Sequence, residues 1–488
     1  MQLLDLITIF IFALGIVIMG LSFSGKGRNM KSFFAAGGAV PWLMSGLSLF
    51  MGFFSAGTFV VWGSIAYSLG WIAISIQWTM AIAGFVVGFF IAPRWHKTSA
   101  LTVAEYITRR LGVNTQKTYT YLFLFISLFT TGSFLYPVAK IVEVSTGMPL
   151  DLCILLLGGF CIVYVAAGGL WAVVSTDVLQ FIILTAAVLI VVPLSFGRVG
   201  GVVNFIESIP ATYFNLVNGE YTIGFIVAFG VYNTIFLGGN WAYVQRYASV
   251  NSQSSARKVG FLFGGLYVVS AVLWMLPPMI YRIVNPSLST IDAEGAYLMM
   301  CKEVLPAGLL GLMLSGMVFA TASSLNATLN ISSGVVTNDI FKRLFPQSSD
   351  KTLMRVARIS TIIFGLLAII VALLIPLMGG IVNVVISVAA LTGVPLYLPI
   401  IWTLFSKRQT EYSVITTTLV SLGANAFFKF ITPLWGFGFN RAEEMIVGVA
   451  FPVLCLIAFE LYYKLNHKIS HRYVEYQEWE KENNCIKE

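Results

Sequence analysis

Residues Gly46–Gly63, GLSLFMGFFSAGTFVVWG, are apolar enough to lie in a bilayer, yet they gather Gly52, Ser55, Ala56 and Gly57 at their centre. A second stretch, Gly230–Arg246, GVYNTIFLGGNWAYVQR, repeats the pattern with Gly238-Gly239 and the polar Asn233 and Asn240. A membrane helix satisfies its own backbone, so an irregular segment at membrane depth needs packed protein, a cavity or an ion to receive the freed groups. Working outward, about 20 apolar residues cross a ~30 Å hydrocarbon core. Such runs recur at residues 3–22, 42–67, 70–93, 118–139, 149–167, 176–196, 221–242, 259–281, 303–338, 358–376, 380–405, 411–431 and 444–464, which predicts thirteen spans. The run 303–338 is too long for one crossing and is expected to leave the bilayer as helix. The two interrupted spans lie five apart and cross in opposite directions. Interruptions at corresponding places in two oppositely oriented halves point to an inverted-repeat transporter with its binding site at the breaks. The alternative is that the glycines serve close helix packing.

Composition agrees with a membrane protein. Of 488 residues 58% are hydrophobic and 10% charged, where a soluble protein carries roughly 25% charged residues. So few charges cannot cover a soluble enzyme, and 38 Phe, 20 Tyr and 11 Trp exclude a disordered chain. The five cysteines show no disulfide or zinc spacing, and the three histidines lie outside the spans, which argues against a membrane-embedded transferase. Met1–Ser22 lacks the basic start of a signal peptide, and Lys26, Arg28 and Lys31 follow the apolar run. That order favours a retained first helix with its N-terminus outside.

The loops extend this topology. Those assigned inside carry Arg94, Lys97, Arg109, Arg110 and Lys117, then Arg246, Arg257 and Lys258, then Lys342, Arg343, Lys351, Arg355 and Arg358. Those assigned outside carry Glu143, Asp151, Glu207, Glu220, Asp292, Glu294, Glu443 and Glu444. Of the 29 Lys+Arg, 23 fall inside and 6 outside, whereas the 21 Asp+Glu divide 11 to 10. The formal +8 therefore resolves into +12 inside and −4 outside, an orientation signal for a plasma membrane and not a surface for nucleic acid. Residues 1–465 form one transmembrane domain, and residues 466–488 a polar cytoplasmic tail. In that tail His467 and His471 stand four apart, which suits either a metal on one helix face or two solvated side chains.

Two further features carry chemistry. In Phe319-Ala320-Thr321-Ala322-Ser323-Ser324, the residues Ala320, Ser323 and Ser324 stand at i, i+3 and i+4. One carbonyl edge and two hydroxyls thus share a direction, and neutral oxygens suit a monovalent cation. The alternative is serines returning hydrogen bonds to their own helix. Asp177, at the start of span six with Gln180 on the same face, is either a functional intramembrane acid or a helix N-cap. It is the one charge this reading leaves near a transport path.

FFAAGGAVPWLMSGLSL, LTVAEYITRRLG, AAGGLWAVVSTDVLQ, NWAYVQRY and ASSLNATLN with TNDIF occur in this order over residues 1–465. By these landmarks the sequence resembles the sodium:solute symporter family, which includes sodium/glucose, sodium/proline and sodium/sialic acid cotransporters. The resemblance implies an all-α fold of five-plus-five inverted repeats of the leucine-transporter type, about 42–196 and 221–405, with one extra N-terminal helix and two extra C-terminal ones. It also implies a sodium ion held by the carbonyls of Met51, Phe54 and Ala320 and the hydroxyls of Ser323 and Ser324. Some members place a second sodium at the position of Asp177 with hydroxyls beyond the serine pair. Here those positions are Asn326 and Ala327, which favours one sodium per cycle. The family's solute contacts map onto Phe53, Thr58, Gln77, Asn233, Tyr267 and the stretch Asn383–Ser387, with Phe236 at the inner gate.

The expected function is sodium-driven import of a small polar solute by alternating access, a sugar or sugar derivative first, with no enzymatic step and no obligate protein partner. A small organic acid or amino acid is the second expectation, for which Lys140 is the candidate cation. A transporter-like sensor without coupling and a sodium-independent facilitator are the competing classes.

Overall fold

A computed structural model describes residues 2–24, 40–100, 102–164 and 170–485. The first basic loop, the FFAAGGA landmark and the AAGG turn before Leu170 lie outside the described residues. So do the side chains of Cys161, Ser323, Asn326, Ala327 and Cys485. The regular structure among the described residues is helical throughout. It runs α1 (Leu3–Ser24), α2 (Trp42–Met51), α3 (Gly63–Leu69), α4 (Trp71–Val86), α5 (Ala92–Lys97), α6 (Val103–Leu111), α7 (Val113–Thr146), α8 (Leu150–Tyr164), α9 (Leu170–Arg198), α10 (Val202–Ser208), α11 (Ile223–Gly239) and α12 (Trp241–Ala248). It continues as α13 (Gln253–Val284), α14 (Ala296–Val304), α15 (Leu309–Val335), α16 (Asp350–Leu374), α17 (Ile381–Val388), α18 (Val394–Thr403), α19 (Glu411–Ala426), α20 (Arg441–Leu465) and α21 (His471–Cys485). Single π-helical turns join α4 to α5 at Val87–Ile91 and α17 to α18 at Ala389–Gly393.

Among the described residues eight helices are long and apolar enough to cross a membrane, and the bent pair α11–α12 makes a ninth. The other expected spans appear as shorter apolar pieces: Leu3–Gly15, Trp42–Met51 with Thr58–Leu69, Leu150–Gly159 and Leu309–Ala322. Helices α1 and α15 run on past these pieces, to Ser24 and Val335. Outward faces are bare hydrocarbon, as on α16 with Ile359, Ile362, Ile363, Leu366 and Ile370, the surface a bilayer covers. The expected span 303–338 is corrected: Pro306 and Gly308, with φ +89°, break the chain after α14, and the long helix starts at Leu309.

That new helix start is capped from α1. The Asp5 carboxylate, 1% exposed, accepts from the backbone N–H of Gly308 at 2.7 Å and of Gly311 at 3.1 Å. An acid at a helix N-terminus satisfies orphan donors and complements the dipole. Asp5→Ala should therefore lower the melting temperature of the purified carrier clearly, since each hydrogen bond to a charged group contributes about 1.5–3 kcal/mol. An unchanged melting curve would show that the cap is redundant.

The basic loops gather on one side, here termed the basic face. There the C-terminal helix docks and is not free in solvent: Tyr106 meets Tyr476 edge-on at 5.9 Å, the Arg109 guanidinium lies 3.9 Å over Trp479, and Lys97 pairs with Glu480 at 3.6 Å. Burial and the Arg110 charge act oppositely on the Tyr106 hydroxyl; burial dominates and pushes its pKa up to about 12. His467 sits in the turn before α21, whereas His471 begins it and pairs with Glu475 at 3.2 Å. The two do not share a helix face, and no group of three metal-binding side chains occurs among the described residues.

Candidate functional site

The first interrupted span breaks where its small residues gather. Helix α2 stops at Met51, and the N–H groups of Gly52, Phe53, Phe54 and Thr58 donate to residues Ser48–Phe50 and Ser55. Among the described residues none of these bonds ends on the carbonyl of Met51 or Phe54. The Ala56 N–H instead crosses to α15 and donates to the Thr321 hydroxyl at 2.9 Å. Thr321 is fully buried and itself donates to Met317 O at 2.9 Å. That contact lays the break against the turn holding Ala320 and Ser324. The Ser324 hydroxyl reaches Ala320 O at only 3.4 Å, so it is weakly engaged by its own helix.

The second break is closed differently. Helices α11 and α12 meet at 59° across Asn240, whose side chain accepts from Ala242 N at 3.0 Å as an N-cap. The freed carbonyls find side chains: Trp95 donates to Gly238 O at 2.7 Å and Tyr247 to Leu237 O at 3.2 Å. The glycines admit their neighbours, since a Cβ on Gly239 would stand 2.7 Å from Tyr397 Cβ. At the second break side chains thus take up the Leu237 and Gly238 carbonyls, whereas among the described residues no side chain takes up those of Met51 and Phe54, a difference the sequence pattern does not reveal.

Between the breaks lies a cavity of about 180 Å³. Six of the eight expected solute contacts line it: Phe53, Thr58, Gln77, Asn233, Phe236 and Tyr267. Asn383 and Ser387 do not, and this expectation is corrected. The wall from this part of the chain is Val385, Val388, Ala389 and Thr392, the i, i+3, i+4, i+7 stripe of one helix face, and Asn383 turns back to donate to Met378 O at 2.9 Å. Asn233 donates to Thr79 at 2.8 Å. The Gln77 side chain, in a residue 3% exposed, makes no hydrogen bond to the described residues, nor do the hydroxyls of Ser55, Tyr232, Tyr243 and Tyr267. Buried polar groups need partners, so these five present donors and acceptors to whatever occupies the cavity. No charged side chain lines it among the described residues. Lys140 is elsewhere, paired with Glu143 at 2.8 Å. Glu294, in the turn before α14, is likewise buried, accepting from Tyr136 at 2.9 Å and from Ile381 N at 3.0 Å.

The matching family model, sodium:solute symporter, covers residues 33–420. The chain belongs to the sodium:solute symporter family. It is 29% identical to the sodium/glucose cotransporter of Vibrio parahaemolyticus over 88% of this chain and 86% of that one. It is 27% identical to sodium/myo-inositol cotransporter 2 of Sus scrofa over 86% of this chain and 68% of that one. The solved structure of a Na+-coupled sialic acid symporter superposes with a TM-score of 0.79 at 21% identity, covering 94% of this chain and 98% of that one. At that identity the likeness speaks for the fold, which is the inverted-repeat, leucine-transporter type. This symporter is a carrier coupled to sodium and not an enzyme.

Toward the basic face a second cavity of about 80 Å³ shares Gly52, Ile126, Thr130, Phe134, Phe236, Tyr243 and Tyr397 with the first. Phe236 meets Tyr243 at 5.5 Å and Tyr397 at 5.9 Å, both edge-on, and these three rings stand with Phe134 between the cavities; of the four only Phe236 was expected. Asp177 lines this inner cavity with Ser324. It is not an N-cap, because α9 already starts at Leu170, about two turns earlier. Ser48 donates to its carboxylate at 2.6 Å. Arg246, read above as a loop charge, is 7% exposed and lines the same cavity.

Proposed function

We propose that this symporter imports an uncharged, polyhydroxylated solute, a sugar or close derivative, with one sodium ion per cycle, and that its basic face is cytoplasmic. The carrying observation is the central cavity's lining, in which five unpaired amide and hydroxyl groups stand among aromatic walls without a charged side chain. A carboxylate or ammonium substrate would enter such a cavity without a counter-charge, and an unpaired buried charge is costly. Neutral hydroxyls gain hydrogen bonds there, and aromatic faces suit the apolar side of a sugar ring. The names of the glucose and myo-inositol relatives support the same class.

Sodium is assigned to the Met51, Phe54 and Ala320 carbonyls with the Ser323 and Ser324 hydroxyls, where the first break meets α15. One ion suffices energetically. A charge crossing ~100 mV yields about 2.3 kcal/mol, and a roughly tenfold gradient adds about 1.4 kcal/mol. Together these hold a neutral solute a few hundredfold concentrated. The excess of Lys and Arg on the basic face supports its cytoplasmic assignment.

The test is uptake of labelled hexoses, inositol and sialic acid into vesicles, with sodium replaced by choline as control. Sugar uptake should collapse without sodium, and unchanged uptake in choline would overturn the coupling. Gln77→Ala should raise the solute concentration for half-maximal uptake about tenfold, the loss of one or two hydrogen bonds, while leaving the sodium curve in place. The reverse pattern would mean that the solute binds elsewhere.

A further inference from the structure

Resting on the reading that the central cavity holds the solute, we propose that Asn425, which lies outside that cavity, sets its shape and so its solute preference. Its amide donates to the two carbonyls that Pro395 leaves without a partner, holds the π-helical turn Ala389–Gly393 in place, and through Gly393 fixes the Tyr232 ring against the solute.

The cause is a missing donor. Pro395 is the second residue of α18 and has no N–H. The carbonyl four residues back, Leu391 O, therefore cannot be paired as in an α-helix, nor the one five back, Ala390 O, as in a π-helix. The proline ring would also crowd the carbonyl at i−4 in a regular helix, and the wider turn at Ala389–Gly393 relieves that crowding. At membrane depth, freed carbonyls need donors from packed neighbours. Asn425, in the last turn of α19 and buried, supplies them: Nδ2 donates to Ala390 O at 3.1 Å and to Leu391 O at 3.2 Å. Its Oδ1 is buried without a partner among the described residues. The amide is thus held for its donors although its acceptor goes unused, and an unused buried acceptor is costly.

Helix α20 supports the same turn, since a Cβ on Gly448 would overlap Ala390 O. Beside it Lys429, just after α19, pairs with Glu444 of α20 at 2.7 Å. Neither α19 nor α20 contributes a residue to the lining of the central cavity. The opposite side of the turn is cavity wall, formed by Ala389, Thr392 and Gly393. Gly393 presses on Tyr232: a Cβ there would stand 2.6 Å from Tyr232 Cδ2 and nearer still to Cε2. Tyr232 in turn stacks on Phe236 at 5.5 Å, and its hydroxyl is among the unpaired groups offered to the solute. A small shift of the turn therefore moves a solute contact and an aromatic wall together. Asn425 is a positioning residue: it acts through the turn and Tyr232, not on the solute.

The experiment measures sodium-driven uptake of labelled glucose, galactose and myo-inositol into vesicles. It compares wild type, Asn425→Leu, Asn425→Ala, Tyr232→Leu and the double variant Asn425→Leu/Tyr232→Leu, with melting temperature read in parallel. Asn425→Leu keeps the volume and removes the donors. It should raise the half-saturating concentration of the preferred solute about tenfold, the weight of one hydrogen bond. The sodium curve at saturating solute should change little, and the ratio of affinities among the three solutes should change several-fold. In the Tyr232→Leu background the same substitution should add almost nothing, because residues acting through one another are non-additive. A merely structural asparagine would lower melting temperature and rate without touching preference. Additive losses in the double variant, or an unmoved solute curve in Asn425→Leu, would overturn the proposal. If Asn425→Leu does not fold, Asn425→Ala paired with Tyr232→Leu decides it. A wild type that takes up none of the three solutes with sodium would instead remove the functional reading beneath it.

Discussion

Gly260→Val is expected to leave no folded, monodisperse carrier in detergent extracts. Helix α4 and the π-helical turn after it touch α13 through two glycine pairs, Gly84 and Gly88 against Gly264 and Gly260. A Cβ at Gly260 would stand 2.5 Å from Gly88 Cα and 2.7 Å from Gly88 N, and one at Gly84 would stand 2.7 Å from Gly264 N. These obstacles are backbone atoms, so no rotamer change relieves them, and the helices must move apart along the whole contact. Membrane helices associate by such close packing and not by water exclusion. Overpacking by a few methylenes already costs about 1–3 kcal/mol in well-packed cores, and here separation also opens the wall behind Gln77 and Tyr267. Against a total stability of about 5–15 kcal/mol, that loss decides folding. The neighbouring Gly265 is the internal control, because a Cβ there meets nothing within 4 Å. Gly265→Val should behave as wild type in size-exclusion profile and melting temperature. A Gly260→Val protein that eluted and melted normally would show that the two helices can part without penalty.

This glycine contact marks how far the sequence could be read. The interruptions at Gly52–Gly57 and Gly238–Asn240 were legible, because small and polar residues at mid-span have few explanations in hydrocarbon. Glycines at those positions also admit close packing, yet a Cβ at Gly260 would come nearer to a neighbour, the Gly88 backbone at 2.5 Å, than one at any of them, in a span with no interruption to mark it. That Ala320 and Ser324 stand one turn apart on a helix follows from their spacing, whereas the part played by Thr321 does not. A threonine in a helix ordinarily bonds its own carbonyl, and only the fold brings Ala56 N–H to the same oxygen. Arg246 was assigned to a solvated basic loop, since nothing near it in the chain announces the buried acid on α9. Asn383 and Ser387 were carried over from a resemblance, and the helix face built by Val385, Val388, Ala389 and Thr392 displaced them. Local pattern thus revealed where the backbone fails to satisfy itself, but not which remote side chains repair it.

The repaired and unrepaired breaks together give the second large effect. Ser324→Ala should raise the sodium concentration for half-maximal uptake by roughly 10–100-fold, the equivalent of about 1.5–3 kcal/mol for one hydroxyl directed at a charge. Solute affinity at saturating sodium should be nearly unaltered, because the central cavity is lined from the break after α2, from α4, α7, α11, α12, α13, α17 and α18, and from the turn between the last two, and not by Ser324. Thr321→Val separates ion binding from the geometry that makes it possible. It removes the acceptor of the Ala56 N–H at 2.9 Å and leaves a buried donor unpaired, so the break loses its hold on α15 while the five oxygens proposed for sodium remain. Sodium and solute affinities should then fall together, since Phe53 and Thr58 are carried by the same segment. Coupling requires this shared dependence: an ion drives only the state in which it binds more tightly, and the state at issue is the one with the break seated against α15. A Ser324→Ala carrier with an unmoved sodium curve would dislodge the ion from this site. A Thr321→Val carrier that lost sodium affinity alone would mean that the break does not transmit the ion's presence to the solute.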